Sequence, residues 1–157
     1  MTEYVKQKDR FRCGPVALIN ALRWAGKDVS YSGTIQRYTQ KCECEPIKGT
    51  PYRPFNKMLR KEGKKWFQVK YHAKPNMQDV DRYLDDGRAL IWNFKHSHGR
   101  HYTMITEASE DKQTFFVANF GATYDPLTSI DREEVKRILR QHDRIHYMWV
   151  LTRLNND

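Results

Sequence analysis

The chain has 157 residues, a length that predicts one domain over residues 1–157, large enough to bury a hydrophobic core. Aromatic residues make up 13% of the chain, and this content argues against a disordered protein. The 28 Lys and Arg residues outnumber the 19 Asp and Glu residues, and the net charge of +9 predicts weak, non-specific binding of polyanions.

The sequence also limits the compartment in which we expect the protein to work. No segment is long and apolar enough to span a membrane, and the N-terminal residues lack the apolar core of a signal peptide. Three cysteines are too few for a disulfide framework. We therefore expect a cytoplasmic protein with reduced thiols and no membrane partner.

The first part of the chain is predicted to be helical. Residues 15–25 have the pattern of a buried helix, with a proline in the first turn and a glycine directly after the last apolar residue. Two more helices are predicted over 32–40 and 52–62, with a loop over 41–51 between them.

Most of the remaining chain is predicted to form strands. Two of them are joined by a short polar turn, which predicts an antiparallel pair, and residues 95–100 are a predicted loop. The fold class that follows is α+β, with helices packed on one antiparallel sheet. The predicted strands cover 66–71, 89–94, 101–107, 113–119 and 145–152, and the predicted helices cover 76–86 and 131–141.

Cys13 is the candidate nucleophile because it stands immediately before the first predicted helix. The positive end of a helix stabilises a thiolate, so the sequence predicts a lowered pKa for this thiol. Gly14 follows, and a glycine there leaves room for a substrate backbone. The alternative is that Cys13 is a small buried apolar residue.

Three further residues complete a possible catalytic group. If the turn between the two strands is centred on Glu110, His101 lies opposite Asn119 on one face of the sheet. An Asn there can hold an imidazole in one orientation, as the third member of a triad does. Gln7, six residues before Cys13, is placed to stabilise an oxyanion together with the Cys13 N–H.

The order Gln7, Cys13-Gly14-Pro15, His101-Tyr102 and Asn119 resembles that of papain-like cysteine peptidases. Within that superfamily it is similar to the bacteriocin-processing (double-glycine leader) peptidases and their stand-alone relatives. The resemblance implies a papain-like fold, a peptide or protein substrate, and hydrolysis through a thioester, with no cofactor and no metal.

The third member of the triad has two candidates. The resembled family usually has Asp at this position, often followed by Pro, whereas the aligned residue here is Asn119. An Asp125-Pro126 pair occurs six residues later. We favour Asn119 because it ends the strand that should pair with the His101 strand, and Asp125 remains the alternative.

Two pairs of residues offer a weak metal-site pattern. Cys42 and Cys44 could supply one half of a site, and His96 and His98 the other. Cys-x-Cys is tighter than the spacing of most zinc sites, so the expectation is a solvent-facing loop with two reduced thiols and no metal.

Other functions are compatible with the same sequence. Acyl transfer or deamidation would use the same fold and the same thioester. A non-catalytic reading is a basic module that binds nucleic acid or a partner protein. In that reading, residues 60–65 supply the charge and Trp66, Phe67 and Tyr71 stack on bases.

Overall fold

The fold consists of helices and one antiparallel sheet, and so the predicted α+β class is confirmed. The computed structural model describes residues 2–96, 99–121, 125–141 and 145–154. The helices are α1 (Cys13–Trp24), α2 (Tyr31–Lys41), α3 (Tyr52–Gly63), α4 (Met77–Asp85) and α5 (Arg132–Arg140). The strands are β1 (Phe67–His72), β2 (Ala89–His96), β3 (Gly99–Ala108), β4 (Thr114–Ala118), β5 (Leu127–Asp131) and β6 (Ile145–Arg153).

The six strands lie side by side in the order β1-β6-β2-β3-β4-β5. Each neighbouring pair is antiparallel. Within the described parts of the chain, no helix has the length and apolar character needed to cross a membrane.

Two hydrophobic cores lie on opposite faces of this sheet. Alternate residues of a strand point to opposite faces, so Ile91 of β2 packs with the α1–α3 core while Trp92 packs with the α4–α5 core. Helix α1 is buried along nearly all of its length, as expected from its apolar sequence. It packs directly on β3, and this contact positions the candidate site.

Two predictions about strands are wrong. Residues 95, 96, 99 and 100, predicted as part of a loop over 95–100, extend β2 and β3, and Lys95 pairs with Arg100; residues 97 and 98 lie outside the described residues. Backbone hydrogen bonds hold this part of the hairpin, so its polar sequence does not end the strands. Strand β5 was not predicted, because it is a short edge strand that pairs with β4 and leaves Leu127 39% exposed.

The assumed register between β3 and β4 is also wrong. Met104 pairs with Ala118 and Ile105 with Val117, and the register shifts between Ile105 and Glu107. In this register Thr103, rather than His101, lies in line with Asn119, and its hydroxyl donates to the Asn119 carbonyl at 3.1 Å. The pairing of Ala108 with Phe115 centres the turn one to two residues after Glu110, and this displacement moves the pairing along the strands.

Candidate active site

Cys13 begins helix α1 and is 3% exposed. The backbone N–H of Tyr102 donates a hydrogen bond to its thiol. Tyr102 follows His101 at the start of β3, so the packing of α1 on β3 brings the thiol to the strand that carries the candidate base. Cys13 and Tyr102, 89 positions apart in the sequence, are therefore neighbours in the fold.

Burial raises the pKa of the Cys13 thiol from 9.0 to about 11, although hydrogen bonds from Tyr102 and Thr50 act in the opposite direction. The expectation of a lowered pKa is therefore wrong for the free protein. The free energy needed to remove the thiolate from water is larger than the stabilisation that it gains from the start of the helix and from these hydrogen bonds. At neutral pH the resting side chain is a thiol, so any nucleophilic reaction of Cys13 requires a base.

Gly14 makes room for Thr50. Its N–H donates to the Thr50 hydroxyl at 3.2 Å. A Cβ atom at position 14 would lie 2.3 Å from the Thr50 Cγ2 atom, which is far inside contact distance. The hydroxyl of Thr50 donates to the Phe11 carbonyl at 3.1 Å, so Thr50 ties the loop before α3 to the start of α1.

His101 is 8% exposed, and its Nε2 atom lies 2.6 Å from the backbone carbonyl oxygen of Asn119. A carbonyl oxygen only accepts hydrogen bonds, so Nε2 carries the proton of the neutral imidazole. The basic lone pair is therefore on Nδ1. The ring stands edge-on to the Phe94 ring, with centroids 6.0 Å apart, and this contact restricts its orientation.

Asn119 therefore contacts His101 through its main chain, and its side chain has another partner. The Asn119 amide donates to Gln7 Oε1 at 2.8 Å, and the Gln7 backbone N–H donates to Asn119 Oδ1 at 3.2 Å. Asn119 follows β4 in the left-handed region, with a φ of 58°, which Asn tolerates better than most residues. This turn aims the carbonyl at His101 and the side chain at Gln7.

Gln7 is held by both ends of its amide. Its Nε2 donates to the Asp9 carbonyl at 2.5 Å, and its Oε1 accepts from Asn119. An amide nitrogen has two hydrogens, and among the described residues the Gln7 Nε2 donates only this one hydrogen bond. Asp9 also accepts from the N–H groups of Phe11 and Arg12, both at 3.0 Å, and so shapes the loop before Cys13.

Asp125, the alternative third residue, is exposed and lines a surface hollow with Thr2, Glu3 and Tyr4. The next residue, Pro126, contacts the site: its carbonyl accepts a hydrogen bond from the Asn119 N–H at 2.8 Å. This bond supports the Asn119 turn, and so the Asp125-Pro126 segment is linked to His101 through Asn119.

The sequence model of the Peptidase_C39-like family matches residues 2–147. The chain belongs to this family. Its fold is similar to the crystal structure of a protein from Bacillus anthracis described as a C39-like peptidase, with a TM-score of 0.65 over 96% of this chain and 94% of that one. The two sequences are 9% identical, so this likeness concerns the fold. No curated protein sequence matches the chain.

The other two cysteines of this C39-like protein differ in their surroundings. Cys42 is fully buried and its thiol donates to the Met58 sulfur at 3.5 Å, so the expected solvent-facing loop is wrong for this residue. Cys44 is partly exposed, with its sulfur 3.2 Å from the Thr50 hydroxyl. The sequence contained no signal for this contact, because Thr50 and Cys44 meet Cys13 only after α1 and the segment 42–50 pack together.

The metal-site pattern finds no support in the part of the chain that the structure describes. Among those residues, no group of three His, Cys, Asp or Glu side chains is arranged to hold a metal ion. His98 and the side chain of His96 lie outside the described residues.

The proposed base-stacking surface is only partly exposed. Phe67 is 2% exposed in the α1–α3 core, and Tyr71 packs edge-on against Tyr52 and Trp149. Glu62 lies within the basic segment 60–65 and lowers its net charge. Its carboxylate forms an ion pair with Lys41 of α2 at 2.7 Å. These side chains contribute to the core and to the packing of α2 on α3.

Proposed function

We propose that the protein is a cysteine peptidase or isopeptidase that hydrolyses a peptide or amide bond through a thioester on Cys13. One observation carries the proposal: the Cys13 thiol, at the start of α1, accepts a hydrogen bond from the residue that follows His101. Membership of a family of C39-like peptidases supports the same reaction class.

In this mechanism, His101 acts as the base through Nδ1, because Nε2 is held by the Asn119 carbonyl. The pKa of Cys13, about 11, means that the thiol gives up its proton as its sulfur attacks the substrate carbonyl. The imidazolium then protonates the leaving amine. Water hydrolyses the thioester and returns the proton to the thiol.

The oxyanion of the tetrahedral intermediate would be stabilised by the Cys13 N–H and by Gln7. The contacts of Gln7 with Asn119 and Asp9 support this role, because they fix the amide before substrate binds. Asn119 therefore serves two parts of the mechanism: its carbonyl orients the base and its side chain positions the oxyanion donor.

The activity is tested with a peptide library, using the wild type, Cys13→Ala and His101→Ala under reducing conditions. We expect both variants to remain folded and to lose cleavage, while Cys44→Ser retains it as the matched cysteine control. Cleavage by Cys13→Ala would contradict the proposal. Mass analysis separates hydrolysis from acyl transfer and deamidation, which leave products of different mass.

The proximity of the two catalytic groups can be tested without a substrate. A bifunctional alkylating agent such as 1,3-dibromoacetone should link the Cys13 sulfur to a His101 nitrogen within one molecule. The same reagent should give no such link in His101→Ala. A link from Cys44 to His101, with none from Cys13, would show that Cys13 has been wrongly assigned as the nucleophile.

A further inference from the structure

The segment that follows α2 brings a second thiol close to Cys13. The Thr50 hydroxyl oxygen lies 3.2 Å from the Cys44 sulfur and also accepts the N–H of Gly14 at 3.2 Å. The same side chain hydrogen-bonds the Cys13 thiol. The Thr50 hydroxyl therefore links Cys44 to the first turn of α1, and this contact brings Cys44 close to Cys13.

Cys44 is the thiol of this pair that is open to small reagents. It is partly exposed, whereas Cys13 and Cys42 are buried. A hydrogen bond with Cys42 is the largest influence on the pKa of Cys44 and lowers it. The contact with Thr50 and the charge of Arg12 lower it further, against the effect of burial. Partly exposed thiols with a lowered pKa are the ones that peroxides oxidise first.

We propose that Cys44 and Cys13 form a reversible disulfide when the protein meets hydrogen peroxide, and that this bond blocks the Cys13 sulfur. The disulfide itself does not depend on peptidase activity; only its consequence, inhibition, rests on the proposed function. The pair would make the enzyme active under reducing conditions and inactive under oxidising ones.

The reaction proceeds in two balanced steps. The Cys44 thiolate attacks one oxygen of hydrogen peroxide, the O–O bond breaks, and hydroxide leaves, so that Cys44 becomes a sulfenic acid. The Cys13 sulfur then attacks the Cys44 sulfur, the S–O bond breaks, and the oxygen leaves as water with the Cys13 proton. Two thiols are oxidised, and one peroxide is reduced to two molecules of water once the hydroxide takes up the proton that Cys44 had released.

Cys13 is a better partner for Cys44 than Cys42 is. Only Glu43 separates Cys42 from Cys44, and a disulfide between cysteines so close in sequence would be strained. Cys44 lies outside the helices and the sheet, so it can approach Cys13 without breaking either.

The test treats the purified full chain with hydrogen peroxide, blocks free thiols with iodoacetamide in denaturant, and maps peptides by mass spectrometry without reduction. We expect a peptide in which Cys13 is linked to Cys44, and we expect this peptide to disappear after dithiothreitol. Cys42→Ser, the matched control, should keep the link. Cys44→Ser should abolish it, so that iodoacetamide labels Cys13 in the peroxide-treated protein. A Cys42–Cys44 link, or sulfenic acid with no link, would overturn the proposal.

Peptide cleavage measured on the same samples separates this inference from the proposed function. If both hold, peroxide lowers cleavage in proportion to the linked fraction, and dithiothreitol restores it. A link in a protein that cleaves nothing under reducing conditions would refute the peptidase and leave the disulfide. Cleavage that needs Cys13, in a protein that forms no link, would refute the disulfide alone.

Discussion

Asn119 shows how one residue can serve two parts of a site through different groups. Its carbonyl accepts from His101, and its side chain exchanges two hydrogen bonds with Gln7. A substitution at this position removes the side chain and leaves the carbonyl in place. The two contributions can therefore be separated by mutation.

For Asn119→Gly, we expect the turnover of peptide cleavage to fall by about 10²–10³-fold, the usual effect of one oxyanion donor. Glycine adopts the positive φ without strain, so the carbonyl stays on His101, and the acidic limb of the pH–rate profile, which reports protonation of this base, should not move. Gln7→Ala should have a similar effect, and the double variant little more than either one. A shifted pH profile in Asn119→Gly would show that the side chain acts on His101.

The pKa of Cys13 leads to a prediction about stability. The folded-state pKa of about 11 lies above the ordinary value of 9.0, so the buried thiol favours the fold below pH 9 and this contribution is lost as the pH rises through 11. Two pH units correspond to about 3 kcal/mol. Urea unfolding between pH 8 and 11 should show a smaller loss of stability for Cys13→Ala than for the wild type. An equal loss of stability with pH in both proteins would mean that burial does not raise the pKa of Cys13.

At the scale of elements, the junction between α3 and β1 depends on a glycine. Gly63 is the last residue of α3, and its carbonyl accepts from the Trp66 N–H at 2.8 Å. The Phe67 ring lies where a side chain at position 63 would stand, 2.2 Å from a Cβ atom. The absence of a side chain thus lets the first strand turn back under α3.

We expect Gly63→Ala to destabilise the fold by about 1–3 kcal/mol, the usual cost of overfilling a packed site. Gly121→Ala is the matched control, because a Cβ atom there would meet nothing within 4 Å. Denaturant midpoints of both variants measure the difference. A Gly63→Ala protein as stable as the control would show that the Phe67 ring moves aside without cost.

At the scale of the whole molecule, the net charge of +9 should make the protein a weak and unselective binder of nucleic acid. Binding that comes from counterion release weakens steeply with salt and does not depend on base sequence. Fluorescence anisotropy with two unrelated DNA oligonucleotides over a salt series would measure both properties. Tight binding that persists at about 0.5 M salt would favour the nucleic-acid module over the peptidase.

Several features could be predicted because each depends on a short stretch of chain. The pattern of apolar residues, prolines and glycines predicted five helices close to their observed bounds, and the buried strands were recognised from their apolar runs. Cys13 at the start of α1 follows from the same local pattern. Strand β5 and the end of the β2–β3 hairpin were missed, because backbone pairing with a neighbour, rather than their own side chains, makes them strands.

The fold class, the family resemblance and the order of the candidate catalytic residues follow from the amino-acid sequence. How these residues meet depends on the packing of distant segments. The register of β3 and β4 placed the Asn119 carbonyl, rather than its side chain, on His101, because the turn is centred one to two residues further along the chain than its sequence indicated. Burial of Cys13 reversed the direction expected for its pKa, since desolvation depends on everything packed around the sulfur. The approach of Cys44 likewise requires distant segments to pack together, and no local pattern encodes such a contact.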